Sequence, residues 1–417
     1  MTRPFHVVLL HAYSRRNSGD GLLVDLSVEL LREAFGDGVR TTIVAADPDS
    51  FADAGDPLGA PVLAQHGVAR RLAAVARAWL SSRGPAALAP VLADADLIVG
   101  VGGGYLRART LTEALRLEAG HLLQLRAARA SGKPAVYLPQ SIGPARAGLP
   151  FMSRAWRKHV TSLLDACAVV FVRDDRSLAM LGGNRNTRRA PDLAVLAFGM
   201  RLPGPAVAPG ADVPGAVAPG ADVPGAVAPG ADAPGAVAPV RHIALVLRDA
   251  PRWSRAQRTR YRRALDRLIA RLESRSRITL AVQSTGRGND DAAFYRRLGV
   301  ARPLPSLRQV LADDPPDFVV SVRLHGALES ILAGVPAFHL SYERKGFGAY
   351  ADLGLDDWVV NAADFDADAV ADHLYAPRAA LRFWEAATSR ADALRVERAR
   401  LVAALRDAAM PLETAPC

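Results

Sequence analysis

The tetrapeptide Arg323-Leu324-His325-Gly326 carries the densest set of groups able to do chemistry. It closes the apolar run FVVSV and opens the helix-forming stretch ALESILAGVP. Backbone amides at that helix start, a guanidinium fork and an imidazole would converge on one anion, either a carboxylate or a phosphate. Each charge-assisted hydrogen bond to such an anion contributes about 1.5–3 kcal/mol. The alternative is a helix cap with a structural Arg and a core His, although two cationic side chains at one strand end are costly to bury without an anion.

Val172-Arg173-Asp174-Asp175-Arg176-Ser177 ends another apolar run, and Arg173 would approach the same anion from an opposite wall. An Asp/Ser helix cap with a surface Arg pair gives the same spacing. His11-Ala12-Tyr13-Ser14-Arg15-Arg16-Asn17-Ser18-Gly19-Asp20 joins a first strand to a first helix. Asn and Asp around Gly suit a tight turn there, able to hold a phosphate or sugar hydroxyls; read blandly, Asp20 is only the cap. Gly102-Gly103-Gly104 calls for close backbone approach, yet lacks the GxGxxG spacing and downstream acid of a dinucleotide fold. The turn Gln140-Ser141-Ile142-Gly143-Pro144 offers amide and hydroxyl groups to hydroxyl-rich ligands.

These segments need a frame. Apolar runs at 5–12, 41–47, 96–104, 135–143 and 166–174 alternate with helical periodicity at 19–36, 64–81, 110–131 and 151–165. The pattern resumes with runs at 242–249, 278–285, 318–326, 336–343 and 357–361, and a helix over 378–409 closes the chain. Continuous apolar strands between helices mean parallel strands covered on both faces. The expected fold class is α/β: two doubly wound, Rossmann-like domains at 1–200 and 241–417. Residues 203–239 repeat a ten-residue Pro/Gly/Ala unit. Such composition sustains neither helix nor central strand, so 201–240 is expected to be an extended linker with partial polyproline II character. In doubly wound sheets ligands sit beyond the carboxyl ends of the strands. Nearly every strand here ends in a polar or Gly-rich turn, so two rims facing across one cleft are expected.

Composition limits the rest. The 417 residues carry a formal net charge of +10, almost all of it from Arg, since Lys occurs only at 133, 158 and 345. That charge fits an anionic partner or an Arg-for-Lys compositional bias, and no nucleic-acid recognition motif accompanies it. Cys167 and Cys417 make no disulfide framework, and the nine histidines show no HxxxH or HExxH pattern, so no metal is expected. No apolar run reaches the ~18 residues of a membrane span. The apolar run near the N-terminus leads into a polar loop rather than a cleavage site, and a cytoplasmic protein is expected. Two Arg-rich stretches, 69–83 with Trp79 and 146–158 with Trp156, could rest on anionic lipid; an ordinary solvated helix face is the other reading.

The order Asn-x-Gly-Asp, GGG, QSIGP, V-R-D-x-x-S and S-x-R-L-H-G…AGVP…SYExK resembles the polysaccharide pyruvyl transferase family. The resemblance spans essentially the whole chain outside the repeat and is most specific over 321–355. It implies a fold similar to GT-B glycosyltransferases, phosphoenolpyruvate as donor substrate and no cofactor. It also implies a saccharide acceptor, lipid-linked in one version, that receives a pyruvate ketal. By that resemblance Arg173, Arg323, the Leu324 backbone and His325 would hold phosphoenolpyruvate. Asn17, Gly19 and Asp20 would line the acceptor or phosphate side, with Asp20 as base. Gly103, Gly104, Gln140, Ser141, Ser177, Tyr342 and Lys345 complete the expected binding set. Two other readings share the fold. A nucleotide-sugar glycosyltransferase would want a close pair of glutamates for uracil and ribose, and Glu329 and Glu343 lie too far apart in sequence. A non-catalytic glycan binder would be expected to lose one of Arg173, Arg323 and His325.

Overall fold

A computed structural model describes residues 3–65, 70, 73, 87–143, 150–182, 184–201, 239–249, 253–286, 289–300 and 302–410. The Pro/Gly/Ala repeat, nearly all of the Trp79 stretch and Cys417 lie outside the described residues.

Two sheets organise the chain. The first contains β1 (His6–Ala12), β2 (Arg40–Ala45), β3 (Asp56–Gly59), β4 (Leu97–Gly100), β5 (Ala135–Gln140), β6 (Val169–Val172) and β7 (Thr187–Arg189). Its order is β3-β2-β1-β4-β5-β6-β7, and every pairing is parallel. The second contains β8 (His242–Val246), β9 (Arg277–Leu280), β12 (Phe318–Ser321), β13 (Ala337–Ser341) and β14 (Val359–Asn361) in the order β14-β13-β12-β8-β9, again all parallel. A small antiparallel hairpin, β10 (Thr285–Gly286) and β11 (Asn289–Asp290), stands apart from both. This is the two-domain, Rossmann-like α/β fold expected from the strand–helix alternation.

The apolar runs explain the layers. In β1 every residue is buried. Val7 and Leu9 face one core while Val8 and Leu10 face another, as a strand covered by helices on both sides requires. Edge strands β3 (DPLG) and β7 (TRR) are short and polar and carry no such signature. The run expected at 278–285 forms a strand only to Leu280, after which the chain turns into the hairpin.

The end of the chain differs from expectation. The single helix expected over 378–409 is two, Ala379–Thr388 and Ala391–Ala409. The second does not stay with the second sheet but lies against helices Ser18–Phe35 and Leu193–Arg201 of the first half. Its stripe of Leu394, Leu401, Val402 and Leu405 is buried there, opposite the apolar face of 193–199. Arg398, 2 % exposed, reaches Glu33 at 2.7 Å and Glu29 at 3.1 Å. Trp156, within helix Pro150–Asp165, packs against the core of the first half, so that ring turns inward. Among the described residues no helix is long and apolar enough to cross a membrane.

Candidate active site

Strand order reverses between β1 and β4 in the first sheet and between β8 and β12 in the second. Those are the places where neighbouring loops diverge and leave a crevice. A cleft of about 380 Å³ opens there, with residues of both halves in its walls. From the first sheet come the loop after β1, the glycines after β4 and Arg173 after β6; from the second come Arg248, Arg323-Leu324-His325, Tyr342, Glu343 and Lys345.

Backbone pairing ties the walls together. Ser18 N–H donates to Gln283 O at 3.0 Å, and Thr285 N–H donates to Arg16 O at 2.9 Å. The Ser18 hydroxyl donates to Glu329 at 2.8 Å. The turn 14–18 is therefore fastened to the second half at the position where its helix begins.

Two buried arginines face this cleft, each fixed from behind by a buried carboxylate. Arg173, 4 % exposed, donates through Nη1 to Asp192 and through Nε to Ser141 Oγ at 2.8 Å. Its Nη2 has no partner among the described residues and lies beside Gly104, where an added Cβ would sit 3.3 Å away. Arg323 is forked onto Asp291, with Nε at 2.8 and 2.9 Å from the two carboxylate oxygens. Asp192 also stands 3.4 Å from Nε2 of His325, so one carboxylate of the first half orients an Arg of its own half and a His of the other. Burial alone would raise the Asp192 pKa; Arg173 and His325 more than offset it and hold the carboxyl well below its usual range. His325 lies in the first turn of helix Leu324–Leu332, where backbone N–H groups favour an anion.

Asn17 caps helix Ser18–Phe35 by accepting from Gly19 N–H at 3.3 Å, while its amide donates to Asp20 at 2.8 Å. Asp20 is partly buried and its pKa is raised: loss of hydration outweighs His325, the Asn17 hydrogen bond and Lys345, which pull it down. Opposite it, Glu343 takes Arg107 of the first half at 3.0 Å and Lys345 at 3.2 Å. Desolvation would raise Glu343 too, but these cations bring it down to about 2. Tyr342 donates no anchor of its own; Arg248 donates to its hydroxyl at 2.8 Å and its guanidinium lies 5.0 Å from the ring centre.

Of the residues expected from sequence, Asn17, Asp20, Gly103, Gly104, Arg173, Arg323, Leu324, His325, Tyr342 and Lys345 all line this cleft. Four do not. Gln140 is buried and donates to Val101 O and the Tyr105 hydroxyl. Ser141 acts behind Arg173, and the Ser177 hydroxyl bonds Asp174 and the Ile142 backbone. Gly19 is a clearance: a Cβ there would come within 2.7 Å of His325 Cβ. Asp192 and Asp291 escaped the sequence reading because each is a lone acid remote from the Arg it holds. His11, His121 and Tyr105 escaped it as well; they form the cleft floor beside the first sheet. The two glutamates weighed for a nucleotide are both engaged, Glu329 with Ser18 and Arg308, Glu343 with Arg107 and Lys345.

The family described as polysaccharide pyruvyl transferase matches residues 17–344. No curated protein matches the sequence. Among solved structures, the UDP-GlcNAc 2-epimerase of Neisseria meningitidis bound to UDP-GlcNAc is similar at 10% identity and a TM-score of 0.52, over 97% of this chain and 100% of that one. A putative UDP-N-acetylglucosamine 2-epimerase of Listeria monocytogenes gives 11% identity and 0.48, over 98% and 96%. The glycosyltransferase SnogD of Streptomyces nogalater gives 19% and 0.39, over 96% and 99%. At 10% identity the likeness to the Neisseria meningitidis epimerase is one of fold.

Proposed function

Because this chain belongs to the polysaccharide pyruvyl transferase family, we propose that it moves the enolpyruvyl unit of phosphoenolpyruvate onto a sugar of a cell-surface polysaccharide precursor, forming a pyruvate ketal and releasing phosphate. The observation that carries this reading is the Arg173–Asp192–His325 junction. A guanidinium Nη1 and an imidazole from opposite halves are held by one carboxylate at a helix start.

The reaction asks for three things. A phosphate and a carboxylate must be neutralised; Arg173, Arg323, Lys345 and the Leu324 amide region supply cationic and backbone donors. The enol methylene must gain a proton, leaving an oxocarbenium-like C2, and His325, which lines the cleft beside Arg323, is assigned as that acid. An acceptor hydroxyl must lose its proton as its oxygen bonds to C2. Partly buried Asp20, with its raised proton affinity, suits that base. Phosphate then leaves, taking up the proton that Asp20 received, and the second hydroxyl closes the ketal on C2 as its proton returns to His325.

Phosphate release from phosphoenolpyruvate, followed with a panel of β-glycosides, tests the assignment. Acceptor-dependent release should vanish in His325→Ala and Arg323→Ala. Near-normal turnover in both variants would remove these residues from the mechanism.

A further inference from the structure

The cleft floor next to β1 holds a polar chain that the anion chemistry does not use. His11 adopts φ +72, an uncommon conformation for a residue with a side chain, at a bulge where β1 loses register with β2. His121 sits in a single turn of wider winding, Glu118–Leu122, inserted into an otherwise α-helical stretch. Gln124 clamps both irregularities, accepting from His11 N–H at 3.1 Å and donating to Gly120 O at 3.1 Å. The result brings His11 Nδ1 to 3.2 Å from His121 Nδ1 and His11 Nε2 to 2.5 Å from the Tyr137 hydroxyl. Tyr105 covers both imidazoles, its ring centre 4.7 Å from each.

Hydrogen bookkeeping gives this chain a direction. Tyr137 is fully buried, and its hydroxyl has no acceptor other than His11 Nε2 among the described residues. The phenol therefore donates to Nε2. His11 must then carry its proton on Nδ1 and donate to His121 Nδ1, which leaves His121 protonated on Nε2. That Nε2–H, on the cleft lining, has no partner among the described residues.

We propose that Tyr137, His11 and His121 form a directional relay whose end, the Nε2–H of His121, is a specificity-determining donor to an oxygen of the uncharged acceptor saccharide. The saccharide identity rests on the pyruvyl-transfer reading; the donor direction does not. Burial keeps both imidazoles neutral, lowering His121 to about 4 and His11 well below its usual value. The floor thus offers a neutral donor among aromatic faces, in contrast to the arginine wall. A hydroxyl or ring oxygen fits that offer, while the phosphate and carboxylate find stronger partners across the cleft.

Histidine-selective isotope labelling and NMR read the tautomers directly. The native protein should show His121 as Nε2–H and His11 as Nδ1–H, and Tyr137→Phe should remove the preference. Binding of methyl β-glycosides and of phosphoenolpyruvate should be measured separately by calorimetry on full-length native protein, His121→Ala and Tyr137→Phe. Loss of one hydrogen bond should weaken glycoside binding about tenfold in His121→Ala and leave phosphoenolpyruvate affinity within about twofold. A His121 found as Nδ1–H, unchanged glycoside affinity in His121→Ala, or no glycoside bound by native protein would each overturn the proposal. If glycoside binding depends on His121 while phosphoenolpyruvate does not bind at all, the relay stands and the pyruvyl-transfer reading falls.

Discussion

Replacing Asp192 by Asn tests whether one carboxylate organises both walls of the cleft. Asp192 is 2 % exposed and receives Arg173 Nη1, His325 Nε2 and the Ala194 N–H. The amide keeps one acceptor but removes the charge, leaving Arg173 buried with no carboxylate partner among the described residues. Breaking a buried pair in this way costs about 3–5 kcal/mol, and retained shape favours the lower end. At about 2–4 °C per kcal/mol for a domain of this size, melting should fall by roughly 6–12 °C at pH 7. The folded pKa of Asp192 is depressed. Its stabilisation is therefore complete above the unfolded value near ~3.9 and is lost as pH falls through the folded value. Scanning calorimetry should find the same gap between native and D192N at pH 8 and pH 6, closing only in stronger acid than about pH 4. Turnover should fall with the alignment of Arg173 and His325. A variant that melts within about 2 °C of native and keeps its activity would refute the role given to this carboxylate.

Gly19→Ala should leave the fold intact but push His325 off its position, because the new Cβ would stand 2.7 Å from His325 Cβ; kcat should fall about 10²-fold for a displacement near 1 Å, as steady-state kinetics would show. Asp20→Asn should cost about 10²–10⁴ in turnover if Asp20 is the base, and the acidic limb of the pH–rate profile should disappear. Burial raises the Asp20 pKa in the fold, so ionising it opposes folding as pH rises through that value; D20N should therefore melt slightly higher than native at pH 8. Arg398→Ala should destabilise the chain by about 1–3 kcal/mol, through loss of its own buried packing and its hydrogen bonds to Glu29 and Glu33, measurable by denaturant titration.

The strand cores and the helix starts that follow them were legible because burial on both faces writes continuous apolar runs, and because the chemical groups fall directly after those runs. Arg173, Arg323 and His325 could be placed on that basis. Asp192 and Asp291 could not: each meets its arginine through tertiary packing, at sequence separations of 19 and 32 residues. His11 and His121 are 110 residues apart, and only a bulge and a widened turn bring their rings together. Gln140 and Ser177 show the opposite error, polar groups in promising turns whose hydrogen bonds are spent on the backbone around them. The destination of the last helix was equally hidden, since an amphipathic stripe states that it must be covered but not by which half.

The central claim is the chemical outcome of the reaction, and mass spectrometry of the acceptor measures it most directly. Purified protein incubated with phosphoenolpyruvate and synthetic or lipid-linked β-glycosides should yield a glycoside carrying one added pyruvyl ketal, with one phosphate released per product. Release of no phosphate and no mass gain on any acceptor, together with thermal stabilisation by a nucleoside diphosphate sugar but not by phosphoenolpyruvate, would contradict the account and favour glycosyl transfer.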